Sequence, residues 1–286
     1  MGTYARIAIG ALVFIVVGVV AAVLVGRYTF SRSVDRDVDE LFANVEVDQI
    51  STLTEADIAH LPDSVQRWLR HSNVIGLERP VTVRLKQEGE IRLGPDRDWM
   101  PFSAEQYYTT DPPSFVWHVD AKLMPLVSFA GRDKYVDGRG NMEIRVLSLI
   151  PVVNETGEHM DQGTLVRYLN EIMWFPAAAV SPYIDWEEVD ANSAKATMSY
   201  GGTTVEATYY FDSDGRMTNM MALRYQDAGS GEFKWLPWWT PISEYGEFNG
   251  VRIPVAGEGV WEEDWGDFTY VRLRITDIEY NVPDRY

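Results

Sequence analysis

Arg167, Glu171 and Trp174 are the residues of this chain whose types and spacing come nearest to a chemical site. Residues four apart sit one above the other on a helix, so a guanidinium and a carboxylate would share a face with an indole close by. Turned into a cavity, the trio would converge on a ligand, with Arg167 able to hold a carboxylate or phosphate. Turned to solvent or a neighbouring strand, Arg167 and Glu171 form an ordinary ion pair in the weaker order, base before acid. A second group is aromatic: Trp235, Trp238 and Trp239, followed by Trp261 and Trp265. The run Lys234 to Pro241 carries two prolines, which argues against a core strand and predicts that some of these rings sit in a loop or at a rim. Such rings could line the mouth of a lipid pocket or dip into a membrane interface; the competing reading is a small core under a long loop.

Other clusters carry less. The acidic run Glu262, Glu263, Asp264 and Asp267 lacks the spacing of a calcium loop, and Asp212-Ser213-Asp214-Gly215 reads as a hairpin turn. His60, His71, His118 and His159 share no metal-ligand spacing, so no metal site is expected. There is no nucleophile elbow, phosphate loop or dinucleotide fingerprint, and with no cysteine there is no thiol chemistry; neither a cofactor nor a catalytic residue is assigned. A net charge of −18, spread along the chain, repels phosphates and disfavours nucleic acid as a partner. Five lysines against twenty arginines, within that acidic excess, fit a salt-adapted source or a high-GC genome.

The elements that must position these residues are mostly strands. From Val81 the hydrophobic period changes from 3.6 to 2: Val81, Val83, Leu85, Ile91 and Leu93 alternate with polar neighbours, as in a half-buried antiparallel strand. The pattern recurs around Trp117, Ala196, Ala207 and Leu273, with turn signals at Asp137-Gly138, Asp214-Gly215 and Asn249-Gly250. About ten or eleven strands follow from this spacing. One helix interrupts them, from Asp161 to Phe175, with Leu165, Tyr168, Leu169 and Ile172 on one face and Arg167, Asn170, Glu171 and Trp174 on the other; Pro176 stops it. The expected class is α+β, mainly β: a curved antiparallel half-barrel with that helix plugging its concave face.

Ahead of this domain, Ile7 to Val25 is a charge-free apolar run between Arg6 and Arg27, long enough to span the roughly 30 Å hydrocarbon core. It exceeds a usual signal-peptide core and no A-x-A site follows, so the reading is an uncleaved, single-pass anchor. The division is an anchor over 1–30, a juxtamembrane stalk over 31–53, and one β-rich domain over 54–286 entered through small helices at Thr54 to His60 and Ser64 to Ser72, with Pro62 in a first turn. The flanking arginines slightly favour a cytoplasmic domain; the short tail and the common export design of an anchor followed by a β domain favour an extracytoplasmic one, which is the orientation adopted.

Three stretches carry a resemblance: Leu61-Pro62 with Val65 to Leu69 and Gly76; Asp137-Gly138-Arg139-Gly140-Asn141-Met142; and Arg167-Tyr168-Leu169 to Glu171 with Trp174-Phe175-Pro176. They resemble a domain-of-unknown-function family of membrane-anchored bacterial and archaeal proteins. More loosely, Phe211 to Gly215, Phe248 to Pro254 and Val271 to Tyr280 resemble the periplasmic lipoprotein carriers, whose fold implies a curved sheet with helices over an apolar concavity for acyl chains. The resulting expectation is a membrane-anchored protein that binds a lipid, an acyl chain or another apolar ligand. The alternatives are an enzyme using Arg167 and Glu171 in the same cavity, and a structural envelope protein with a filled core.

Overall fold

A computed structural model describes residues 2–43, 45–46, 50–124, 127–229 and 232–286. Helix α1 (Thr3–Phe42) is followed by two short helices, α2 (Glu55–Ile58) and α3 (Asp63–His71). Thr54 and Asp57 close a capping box around the start of α2. Pro62 is the residue before α3, whose first helical residue, Asp63, stands one place ahead of the expected Ser64. Val65, Trp68 and Leu69 are buried.

A meander then runs through β1 (Thr82–Ile91), β2 (Met100–Thr110), β3 (Pro113–Met124), β4 (Val127–Val136), β5 (Arg139–Val146) and β6 (Ile150–Thr156). After helix α4 (Glu158–Glu171) come β7 (Ile184–Asp190), β8 (Ser193–Tyr200), β9 (Thr203–Phe211) and β10 (Met217–Gly229). The chain ends with β11 (Glu232–Trp239), β12 (Ile242–Phe248), β13 (Val251–Glu263) and β14 (Gly266–Tyr280). All belong to one antiparallel sheet of order β6-β5-β4-β3-β2-β1-β14-β13-β11-β10-β9-β8-β7, with β12 paired to β13. The described residues thus hold fourteen strands rather than ten or eleven. Those the alternation missed include β6, exposed along most of its length, and the proline-bearing β11.

Two hairpins close where left-handed residues were expected: Asp137 and Gly138 have φ of 52° and 76°, Asn249 and Gly250 52° and 81°. Both are the paired positive values that match strand twist. A third such pair, Gly201 and Gly202, joins β8 to β9 and was not foreseen. Gly201 and Gly138 lie back to back, each where a Cβ on the other would collide. Their contact ties the β4–β5 turn to the β8–β9 turn, curling the sheet around α4.

That curl changes the environment of α4. Two opposed faces were expected, but Leu165, Tyr168 and Leu169 are buried and so are Asn170 and Glu171. A half-barrel surrounds the helix on more than one side, so its polar face is enclosed as well. The helix starts at Glu158, continues after Glu171 as a 3₁₀ turn over Ile172–Trp174, and breaks at Phe175 before Pro176. It is seated by Gly140, whose backbone N–H donates to Asp161 Oδ1 at 2.7 Å and where a side chain would strike Met160 and Thr164.

The first part of the stretch read as a stalk is helical and lies docked on the sheet. Residues 31–42 continue α1 without a break, and Gly26, Phe30, Val34, Val38 and Phe42 are buried at four-residue intervals. This stripe packs on Tyr107, Val116 and Ala130, on the sheet face opposite α4. Asp37 fixes it by bonding Arg132 at 2.6 Å and Lys134 at 2.8 Å. The physical reason is the period: four apolar residues on one side of a charged segment make a helix that buries one edge and keeps its charges in water. Residues from Ile7 to Val25 project from the sheet with their apolar side chains exposed, Phe14 at 81%.

Candidate functional site

Between α4 and the concave sheet lies a cavity of about 450 Å³, within the range of small-molecule sites. Its wall is mainly apolar, with Phe102, Trp117 and Phe129 from the meander and Trp174, Trp238 and Trp261 from the other side. Alternation accounts for this directly: Gln87, Ile91 and Leu93 continue the inward parity of Val83 and Leu85. Leu93, 71% exposed, stands at the outer lip.

A polar cluster lies on the inner wall. Arg167 bonds Glu171 at 2.7 Å and Asp133 of β4 at 2.7 Å, and its guanidinium lies 4.5 Å from the Trp117 ring centroid. The other oxygen of Glu171 accepts from Gln106 at 2.8 Å and from the Tyr108 hydroxyl at 3.0 Å. Gln87 accepts from Trp117 Nε1 at 2.9 Å. Desolvation raises the Asp133 carboxyl above its ordinary value despite Arg167 beside it. Desolvation works against the charge of Arg167, but Glu171 and Asp133 outweigh it and raise its pKa. Burial, and then the charge of Glu171, push the Tyr108 phenol well up, so it stays a neutral donor. Arg167 is thus neutralised from two sides and both Glu171 oxygens are bonded within the protein.

The second cation on the wall is Arg224 of β10. Its Nε donates to the Gly163 carbonyl of α4 at 3.1 Å and its guanidinium lies 4.7 Å from the Trp238 ring centroid. Among the described residues no carboxylate pairs with it. Trp238 Nε1, buried beside it, has no acceptor among them. The cavity therefore offers the open donors of one guanidinium, that of Arg224, next to one closed polar network.

Of the sequence candidates, Arg167, Glu171, Trp174 and Trp238 line this cavity. Trp174 also accepts, through its carbonyl, from the Tyr280 hydroxyl at 2.8 Å. Trp235 lies outside, half-exposed, with its ring 4.4 Å from that of Tyr225. Trp239 also lies outside, donating from Nε1 to Glu262 at 2.9 Å. The proline-broken run is a strand after all: β11 pairs fully with β10, but with β13 only at Trp238 and Trp239. Pro237 sits where the second edge is open, so its missing N–H leaves no bond unmade. Asp133, Gln87 and Arg224 were missed. A signal existed for Asp133, which lies between Gly131 and Tyr135 on the inward parity of β4.

Residues 51–273 match the model of a family of unknown function, DUF6544. The chain belongs to that family. The three motifs noted in the sequence all fall within the matched span. No curated protein matches the sequence. Among solved structures it is similar to a DUF1329 family protein from Desulfovibrio piger, at 10% identity over 77% of this chain and 92% of that one, with a TM-score of 0.41. It is similar to a LolA superfamily protein from Nitrosomonas europaea, at 8% identity over 76% and 93%, TM-score 0.38. A third likeness is to a putative outer membrane lipoprotein-sorting protein domain from Vibrio parahaemolyticus, at 9% over 70% and 85%, TM-score 0.36.

Proposed function

We propose that this protein is a membrane-anchored, extracytoplasmic binding domain that holds an acyl chain or similar apolar ligand between α4 and the concave sheet. The observation that carries the reading is the cavity itself: it is walled by aromatic and aliphatic side chains, is open at Leu93, and is left unfilled by the core around it. Removing an apolar chain from water favours its entry by about 25 cal/mol per Å² of surface buried. The guanidinium of Arg224 suits a ligand with an oxygen acceptor at its polar end. The enzyme reading is less well supported, because Arg167 and Glu171 spend their charges on one another, on Asp133 and on Gln106.

The test uses the full chain in nanodiscs, with a palmitate that carries a photoactivatable diazirine on its chain. Crosslinks are expected on β4, β5 and α4, where Met142 and Met160 line the cavity. Met142→Trp, which fills that wall, should abolish them, and Arg224→Gln should weaken them several-fold. Labelling confined to α1, together with no copurifying lipid in an organic extract, would remove the ligand reading.

A further inference from the structure

Five exposed apolar residues of the folded domain are gathered at one end of it. Pairing of Ile91 with Met100 and Val271, of Phe102 with Ala121, and of Phe129 with Val146 places four connections together: β1–β2, β3–β4, β5–β6 and β13–β14. Leu93, Leu123, Leu149, Ile150 and Trp265 lie at these tips, and all are exposed. Water-facing side chains of this size, on neighbouring hairpins, are what a soluble surface avoids and an interface uses.

Helix α1 leaves the sheet at this same end. Gly26 is pressed against the β5–β6 turn so closely that a Cβ there would lie 2.9 Å from the Ser148 carbonyl and 3.2 Å from Leu149. The apolar run ends one residue earlier, at Val25. The tips therefore stand level with the end of the segment long and apolar enough to cross a membrane. Arg27 and Lys122, next to them, can reach headgroup phosphates while the tips enter the acyl boundary. Near Trp265, Glu263 and Asp264 make the far side acidic, which suits a zwitterionic leaflet and not an anionic one.

We infer that this end of the half-barrel docks on the bilayer surface, with Leu123, Leu149, Ile150 and Trp265 in the interface. The docking sets the cavity lip at Leu93 against the leaflet, so an apolar ligand passes between bilayer and cavity without crossing water. The docking rests on α1 being the anchor, and the passage of a ligand rests on the proposed binding reading; the docking itself stands whether or not the cavity holds lipid.

The absence of cysteine makes the test direct. Single cysteines at Val16, Leu123, Trp265 and Val189 in the full chain are labelled with an environment-sensitive fluorophore and reconstituted in phosphatidylcholine nanodiscs whose lipids carry a nitroxide quencher on the acyl chain. Val16 reports the anchor. Val189 lies at the β7–β8 turn, where Arg67 of α3 bonds Ala191, away from the docking end. Labels at Val16, Leu123 and Trp265 should lose most of their fluorescence, and Val189 should keep it. Quenching at Val16 with Leu123 and Trp265 as bright as Val189 overturns the docking and leaves the anchor standing; so does a blue shift at the tips that the lipid quencher does not touch, which would mean a protein partner covers them. No quenching at Val16 overturns both.

Discussion

At the scale of single residues, Glu171 shows how an acid spaced for chemistry becomes structural. Alone on a helix it would be a candidate base; enclosed with Arg167, Gln106 and Tyr108 it has no free oxygen. Removing one partner of a buried pair leaves the other charge unpaired, which costs about 3–5 kcal/mol. Glu171→Ala is therefore expected to lower unfolding free energy by about that amount in urea titrations. Glu244→Ala, which breaks the exposed pair with Arg274, should leave the midpoint unchanged. Equal midpoints for the two variants would show that the buried cluster is not structural. The Arg167–Glu171 pair was legible because helical spacing is local. Asp133, Gln106 and Tyr108 were not, because the strands that carry them lie 34 to 65 positions away along the chain.

At the scale of elements, sequence and structure part most clearly at α1. Its apolar first part was plain, while the stripe from Phe30 to Phe42 is diluted by Arg32, Asp35, Arg36, Asp37 and Asp39 and reads as a solvated stalk. What those charges hide is that β2 to β4 are buried on both faces, with Tyr107 under α1 and Tyr108 under the core. His118 of β3 lies in this contact, its ring 5.9 Å from Phe30. Burial lowers its pKa below the usual 6.5, with Arg27 adding to the effect and Asp120, Glu105 and Asp35 opposing it. The neutral ring is thus the form the fold favours. Its contribution is complete above the unfolded value near 6.5 and is lost as pH falls through the lower folded value. Between pH 7.5 and 5 the wild type should lose thermal stability relative to His118→Phe, which keeps the edge contact and cannot titrate. Parallel melting curves for the two proteins across that range would remove His118 as the cause.

At the scale of the whole molecule, the class was readable because strand alternation and turn glycines repeat down the chain. The closure of the half-barrel was not, since it depends on Gly138 meeting Gly201, a contact between turns that no local pattern encodes. Charge is the property that acts on the molecule at once. At −18 the compact state repels itself, and the acids outnumber their partners, so pairing cannot cancel the excess. The screening length falls from about 10 Å at 0.1 M salt to about 3 Å at 1 M, which removes most of the repulsion between separated surface acids. The buried contacts of Arg167 with Glu171 and Asp133 are screened far less. Melting temperature should therefore climb with sodium chloride up to about 1 M and then level off as screening saturates. Sodium chloride and potassium chloride should give the same rise if screening is the cause, while a rise in only one would point to specific ion binding. A melting temperature that falls with salt would mean that surface ion pairs, rather than net repulsion, dominate the electrostatics of the fold.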